Sequence, residues 1–445
     1  MSDPILSPEV PHTGERGAPP LTILATRYPS GATLSLVLLL VLGATLLFLP
    51  NLLGYGAHPL AWSDRLSGGA VVALALAAAV TARPWISWIA GAIGLWIVLA
   101  PIALWAPSLA AYVAGTLIGA FVVLEGVVLP LSWITPGDEM PAGWSYNPSA
   151  WSQRLPVMVL ATLGLLFAGY MAAFQLGAIG NVWDPIFGSG SERVLSSDVS
   201  RAWPVPDAGL GAAMFAIDLL MTCAGDRRRW RTMPWLVLLF GVMIIPIGIV
   251  SVVLVMLQPV AVGAWCSWCL LTAAATLAMI PLAVDEVTAT LQLLRQTSRR
   301  RESWWRVLWR GAHHGAARAP LPRHRKRSSV PWSLVVMAAA GAWLMIEPSI
   351  IDMPQRQADS GHVAGALVIV VAAVAVSEIA RPLRFLALPL SLWILVVPLI
   401  TVGAPYVTWW TGLASALAVA LTAWPRGAIA QRHGSADRLA LWPSA

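Results

Sequence analysis

Charge is what this sequence has least of. Asp, Glu, Lys and Arg fill 11% of its 445 positions, less than half the roughly 25% of a soluble domain. By contrast, 58% are hydrophobic and the mean hydropathy is +0.73. A soluble globular fold is thereby excluded, and the natural unit of the chain is the apolar run of about 20 residues that crosses a bilayer as a helix. The first 30 residues lack the short apolar core and cleavage pattern of a secretory signal. Polar and rich in Pro and Gly, they read as a disordered cytoplasmic tail. Paired charges at mid-membrane, the mark of a transport pathway, are missing too, because the few intramembrane acids gather near the ends of their spans.

What is there is a series of twelve apolar runs: 32–50, 66–82, 85–103, 108–130, 155–178, 207–224, 234–257, 265–284, 331–348, 361–380, 384–402 and 405–424. The expected fold is an all-α polytopic membrane protein of about twelve transmembrane helices. With the N-terminus inside, all but four of the 28 Lys and Arg fall on one side, the exceptions being Arg65, Arg193, Arg201 and Arg356. That asymmetry obeys the positive-inside rule. The net charge of +7 therefore reports topology, not nucleic-acid binding, and the expected location is the inner (cytoplasmic) membrane, multi-pass, with both termini cytoplasmic.

The two ends of the chain are copies of each other. Gly43 precedes Pro50 by seven residues and Arg83-Pro84 follows after 33; Gly341, Pro348 and Arg381-Pro382 repeat the spacing. "GLWIVLAP" (94–101) is echoed by "SLWILVVP" (391–398) and "GAWLMIEP" (341–348). These Trp-then-Pro segments, fullest in "RPWISWIAGAIGLWIVLAP" (83–101), resemble the bacterial SPW repeat family, a membrane module without an assigned chemistry. The expected organisation is a tail (1–30), a four-helix module (31–131), a turn-rich linker with interfacial aromatics (132–154), a central four-helix bundle (155–285), a basic cytoplasmic linker (286–330), a second four-helix module (331–425) and a tail (426–445). Within the basic linker, "RRRESWWRVLWR" (299–310) is amphipathic enough to lie on the inner leaflet.

All three cysteines fall in the central block, and two of them stand three apart in "GAWCSWCLLTA" (263–273). Residues i and i+3 share a helix face, so Cys266 and Cys269 can approach disulfide distance at the outer end of the eighth span, in an oxidising setting. A thiol at a helix N-terminus also meets unpaired N–H groups that favour the thiolate. Tetrahedral metal binding needs three or four ligands, and the central block has no second cysteine pair and no histidine, so no metal is expected. Two small apolar residues in a packed helix remain the plain alternative.

Four helices, a long outer loop ending in Val194-Leu195-Ser196-Ser197, and C-x-x-C opening the last helix together resemble the vitamin K epoxide reductase family. The resemblance covers about 130 residues. It implies a thiol–disulfide oxidoreductase whose C-x-x-C pair reduces a quinone of ubiquinone or menaquinone type and is re-reduced by thiols. Cys266 would exchange with them and Cys269 would face the quinone. It further implies a substrate site containing Leu195 and Ser197 of the loop motif and Asp207 and Leu210 of "DAGLGAAMF" (207–215); Phe187, Trp183, Trp203 and Trp265 are aromatics that could roof an apolar pocket for the ring or belong to an interfacial belt, the belt being the reading for Trp203. Asp207 occupies the position of a quinone-facing asparagine in vertebrate relatives; as an N-cap it would instead face water. Ala273 replaces a tyrosine of those relatives. The family's two loop cysteines are here Trp183 and Ser191, so exchange would run directly between Cys266 and a thioredoxin-like protein on the outer side. A degenerate scaffold, or a lipid- or quinone-binding protein retaining the fold, is the alternative. Cys223 reads as packing, and Asp218, Glu125 and Glu378 as acids that snorkel or pair with nearby Arg.

Overall fold

The computed structural model describes residues 30–81, 85–131, 140–202, 205–225, 227–312 and 330–440. The tail up to residue 29, Arg83-Pro84, Trp203 and residues 313–329 of the basic linker lie outside the described residues. All twelve apolar runs fall on helices: α1 (Ser30–Leu52), α2 (Pro59–Thr81), α3 (Trp85–Ala103), α4 (Leu109–Leu131), α5 (Trp151–Gln175), α6 (Asp207–Cys223), α7 (Pro234–Leu257), α8 (Ser267–Arg299), α9 (Trp332–Ile346), α10 (Gln355–Val374), α11 (Ala387–Ile400) and α12 (Tyr406–Thr422). Among the described residues ten spans are long and apolar enough to cross a membrane, α9 and α11 by including adjoining short helical turns, whereas α6 and α12 have 17 residues each. At 1.5 Å per residue those two are about 25 Å long. No strand occurs among the described residues, as expected where lipid leaves every backbone group to be satisfied within its own segment.

Two helices outrun their apolar cores because their polar residues find partners or burial within the protein. α2 begins at Pro59, and its Asp64 accepts a hydrogen bond from Tyr55 Oη at 2.6 Å while Arg65 donates to Asn51 at 3.0 Å. α8 continues to Arg299 because Asp285, Glu286 and Gln292 are buried. The amphipathic segment forms the short helix Trp304–Arg310, whose Trp309 stacks on Trp235 of α7.

The chain-end copies share geometry as well as spacing. A Cβ on Gly43 would stand 2.9 Å from Gly68 O, and one on Gly341 would stand 2.7 Å from Gly365 O, so glycine sets how closely α1–α2 and α9–α10 cross. Trp96 donates to Ser63 at 2.9 Å in the first module, and Trp393 donates to Ser360 at 2.8 Å in the second. In the central bundle α5 packs on α6 and α8, and α7 on α8; α3 and α4 touch α6, and α10 touches α7 and α8. One continuous apolar core runs from Leu36 of α1 through the bundle to Ala366 of α10.

At the end of the bundle away from the α5–α6 loop, the polar groups are buried rather than interfacial. Arg154 donates to Thr222 O, Ala224 O and Gly225 O, closing the last carbonyls of α6 with a cation, which also suits the helix dipole. Arg229 grips Glu286 through two bonds of 2.6 and 2.5 Å with both side chains buried. The linker aromatics expected at the interface, Trp144 and Tyr146, are instead buried, because Tyr146 Oη donates to Asp285 at 2.7 Å and Trp144 Nε1 to Gln292 at 3.0 Å. Burial, with Asp285 beside it, pushes the Tyr146 hydroxyl well above the usual phenol range. Glu378 does not snorkel: it accepts the backbone N–H groups of Ala430 and Gln431, which pins the C-terminal segment. Glu125 is buried in α4. Arg229→Ala leaves the Glu286 carboxylate unpaired in the interior and should cost about 3–5 kcal/mol; Arg229→Met with Glu286→Leu should cost much less, both read as thermal unfolding in detergent.

Candidate active site

The cysteines sit where two backbone devices meet. α7 ends in a widened turn, Gln258–Val262, in which the Gly263 N–H reaches back five residues to Gln258 O. Gly263 then takes φ +63°, a conformation natural to glycine. Widened turns of this kind collect at functional sites. Here the turn places Gln258 Oε1 to accept the Cys266 N–H at 2.9 Å. Cys266 is extended and caps α8 with its own sulfur, which accepts the Cys269 N–H at 3.1 Å.

The α5–α6 loop closes over this cap. Gly190 passes so near the entry to α8 that an added Cβ would collide with Trp265 O. That approach brings Asp184 and Ser191 onto the cysteines. The buried Asp184 carboxylate accepts the N–H groups of Ile186 (2.9 Å) and Phe187 (2.8 Å), the Ser191 hydroxyl (2.6 Å), and both the hydroxyl and the N–H of Ser267. Burial pushes the carboxyl upward, but the bonds from Phe187, Ser191, Ser267 and Ile186 overrule it and hold the group well below the usual carboxylate range.

Ser191 Oγ lies 3.3 Å from Cys266 Sγ, and Cys266 is 0% exposed. Its thiol is held below the ordinary range. The hydrogen bond with the Cys269 thiol does most of this, helped by Ser191 and the Cys269 N–H against burial and the Asp184 charge. The two sulfurs converge on Met171 of α5, whose Sδ is 3.8 Å from Cys266 Sγ and 3.4 Å from Cys269 Sγ.

Cys269, half-buried, forms part of the wall of a cavity of about 120 Å³ inside the four-helix bundle, on the order of the ~150 Å³ that admits a benzene-sized ring. Leu195, Ser197 and Asp207 line the same cavity, so the structure brings four of the sequence candidates together, with Cys266 immediately behind. Ser197 caps the short helix Asp198–Arg201 and donates to Val194 O at 2.7 Å. Asp207 is the first helical residue of α6, not its cap; its Oδ1 accepts from Gln175, Ser200 and its neighbour Ala208.

Two candidates fall elsewhere. Leu210 is off the α6 stripe of Asp207, Gly211, Met214, Phe215 and Asp218 that faces the cavity. Phe187 stacks on Trp265 outside it, at 6.3 Å between ring centres. Nor do Trp183 and Trp265 form a roof: Trp183 is largely exposed, and its carbonyl accepts from Trp268 Nε1 at 2.7 Å. Cys223 lies at the far end of α6. Asp218, expected to snorkel or pair with Arg, does neither. It is 2% exposed, it lines the cavity, and its Oδ1 has no hydrogen-bond partner among the described residues.

The sequence reading missed Met171, Gln258 and Asp184. Only the DP turn of "NVWDPIF" (181–187) marked any of them. A larger apolar cavity of about 580 Å³ lies between α7 and α8 and the second module; it shares Val255 with the first but has no cysteine in its wall.

Residues 155–284, which span the central bundle, match the family model of the Vitamin K epoxide reductase family. The match does not extend over the flanking modules. The family is one of membrane oxidoreductases with quinone substrates. No curated protein and no solved structure matched the chain.

Because the folded carboxyl of Asp184 is depressed, its contribution to stability is present above the unfolded carboxylate value and is lost as pH falls through the folded one. Asp184→Asn removes that contribution at every pH. The difference in Tm between wild type and variant should hold from pH 7 to 5 and shrink only below about pH 4. A difference that shrinks already between pH 7 and 5 would contradict the assignment.

Proposed function

We propose that this protein is a membrane thiol–disulfide oxidoreductase in which the Cys266–Cys269 dithiol reduces a quinone of ubiquinone or menaquinone type. The observation that carries the reading is the convergence of both sulfurs on Met171 at the wall of a ring-sized apolar cavity. A bound quinone supplies the acceptor for two electrons and two protons. The cysteines do the rest: Cys269 faces the cavity, and Cys266 Sγ, stabilised by the Cys269 N–H at the start of α8, closes the bond. Their oxidation from dithiol to disulfide releases the two electrons and two protons that turn quinone into quinol. A substrate thiolate then attacks Cys266, and its second thiol resolves the mixed disulfide, returning both cysteines to thiols and leaving the substrate oxidised.

The substrate class is a thioredoxin-like protein dithiol, met on the outer side of the inner membrane with both termini cytoplasmic. In support, the basic run Arg227–Arg231 and the basic end of α8 lie at the opposite end from the cysteine loop. Burial of Cys266 beneath Ser191 means that the partner's thiol engages it only when segment 183–191 lifts. Nothing in this site addresses nucleic acid.

Quinone-dependent oxidation of a small dithiol by the purified protein tests the chemistry, with Cys269→Ala expected to abolish it; equal turnover in that variant would refute the reading. A second reading, a catalytically degenerate scaffold or lipid-binding protein, is favoured by Trp183 and Ser191 in place of the family's loop cysteines. It predicts thiols at 266 and 269 that stay reduced when quinone is added. Ser191→Cys places a sulfur against Cys266 Sγ, so mild oxidation should give a 191–266 disulfide, detected by mass spectrometry of peptides.

A further inference from the structure

Of the two carboxyls that line the cavity, Asp207 is engaged and Asp218 is not. Asp207 Oδ1 already accepts from Gln175, Ser200 and Ala208. Asp218 lies three turns further along α6, about 16 Å by helical rise, and with Ile247 of α7 it marks the end of the cavity remote from the loop. Its only described neighbour along the helix with a hydroxyl, Thr222, donates to the Asp218 backbone carbonyl and leaves the carboxyl alone. The residues between the two acids that face the cavity are Ala208, Gly211, Met214 and Phe215. At Gly211 an added Cβ would meet only Ala168 Cβ, at 3.8 Å, so that level of the wall is open. Buried polar atoms in native proteins are nearly always hydrogen-bonded, and an ionisable group within a membrane span marks a functional position. An orphaned carboxyl oxygen at the wall of a cavity therefore calls for a ligand with a polar group at that depth. A purely apolar occupant, such as a lipid chain, leaves it orphaned.

We infer that Asp218 is the inner polar contact of the ligand cavity, its protonated carboxyl donating a hydrogen bond to the far carbonyl oxygen of a two-ended ring whose near oxygen faces Cys269. This rests on the quinone reading and adds an orientation to it: the ring stands along the bundle axis, with one oxygen toward the sulfurs and the other toward Asp218. Asp218 is a binding and positioning residue, and the electrons and protons remain those of the dithiol.

The test is a binding cycle in which ligand and protein each lose one partner. The full-length chain carrying Cys266→Ser and Cys269→Ser, which cannot turn over, is titrated in detergent with 2-methyl-1,4-naphthoquinone and with 1-tetralone, which has one ring carbonyl, following tryptophan fluorescence. The parent should bind the quinone about tenfold more tightly than the tetralone, the size of one net hydrogen bond. Asp218→Leu should bind the quinone about tenfold more weakly, as weakly as the tetralone, whose own affinity stays unchanged, and Asp218→Asn, which can still donate, should keep the preference. If the leucine variant unfolds, Asp218→Ala serves in its place. A leucine or alanine variant that binds and discriminates like the parent would overturn the inference while leaving the quinone reading intact. A parent that binds neither ring would overturn both.

Discussion

One buried carboxylate organises the site. Asp184 holds two N–H groups of its own turn, the hydroxyl of Ser191 in the loop, and the hydroxyl and N–H of Ser267 in the first turn of α8. Loop and helix are thereby tied to a single anion, and the anion is stable there because its donors outweigh its desolvation. Everything nearby inherits its position from that tie. Ser191 is set against Cys266, the Cys266 sulfur is free to cap α8, and Cys269 is turned to the cavity.

The opposite end of the bundle is held by a different device. Arg154 closes the carboxyl end of α6, and the Arg229–Glu286 pair joins the α6–α7 connection to α8. Such pairs contribute little net stability but are costly to break singly, so they act as register marks for helices whose apolar faces alone would slide. Between the two polar ends, glycine and alanine permit close contact: Gly164 lies so near Phe215 that any Cβ would collide with the ring. The cavity is what remains where this packing opens around Gly211.

The departures from the wider family pattern acquire a physical meaning in this setting. The serine in place of the second loop cysteine still touches Cys266, at 3.3 Å, and still belongs to the Asp184 network. The tryptophan in place of the first carries the carbonyl that receives Trp268 Nε1. Both positions make contacts to the start of α8 without a second pair of sulfurs. The flanking modules contribute walls: α3 and α4 back α6, and α10 backs α7 and α8.

Much of the fold was legible without coordinates. Twelve apolar runs are helices because a run of about 20 apolar residues satisfies its backbone in lipid within its own segment, and the chain-end repeat is visible in the spacing of glycine, tryptophan and proline. The cysteine pair at a helix start, with Leu195, Ser197 and Asp207 nearby, could be read because local spacing and motif carry that information. The partners that decide the chemistry could not. Met171 looks like any core methionine, Gln258 like a polar interruption, Asp184 like a turn residue and Asp218 like a snorkelling acid. What separates them is which neighbour, distant along the chain, each one meets. Hydrophobicity and helical period are properties of a segment and survive in sequence. Hydrogen bonds between segments, and the absence of one at Asp218, arise only when α5, α6, α7 and α8 close around a shared space.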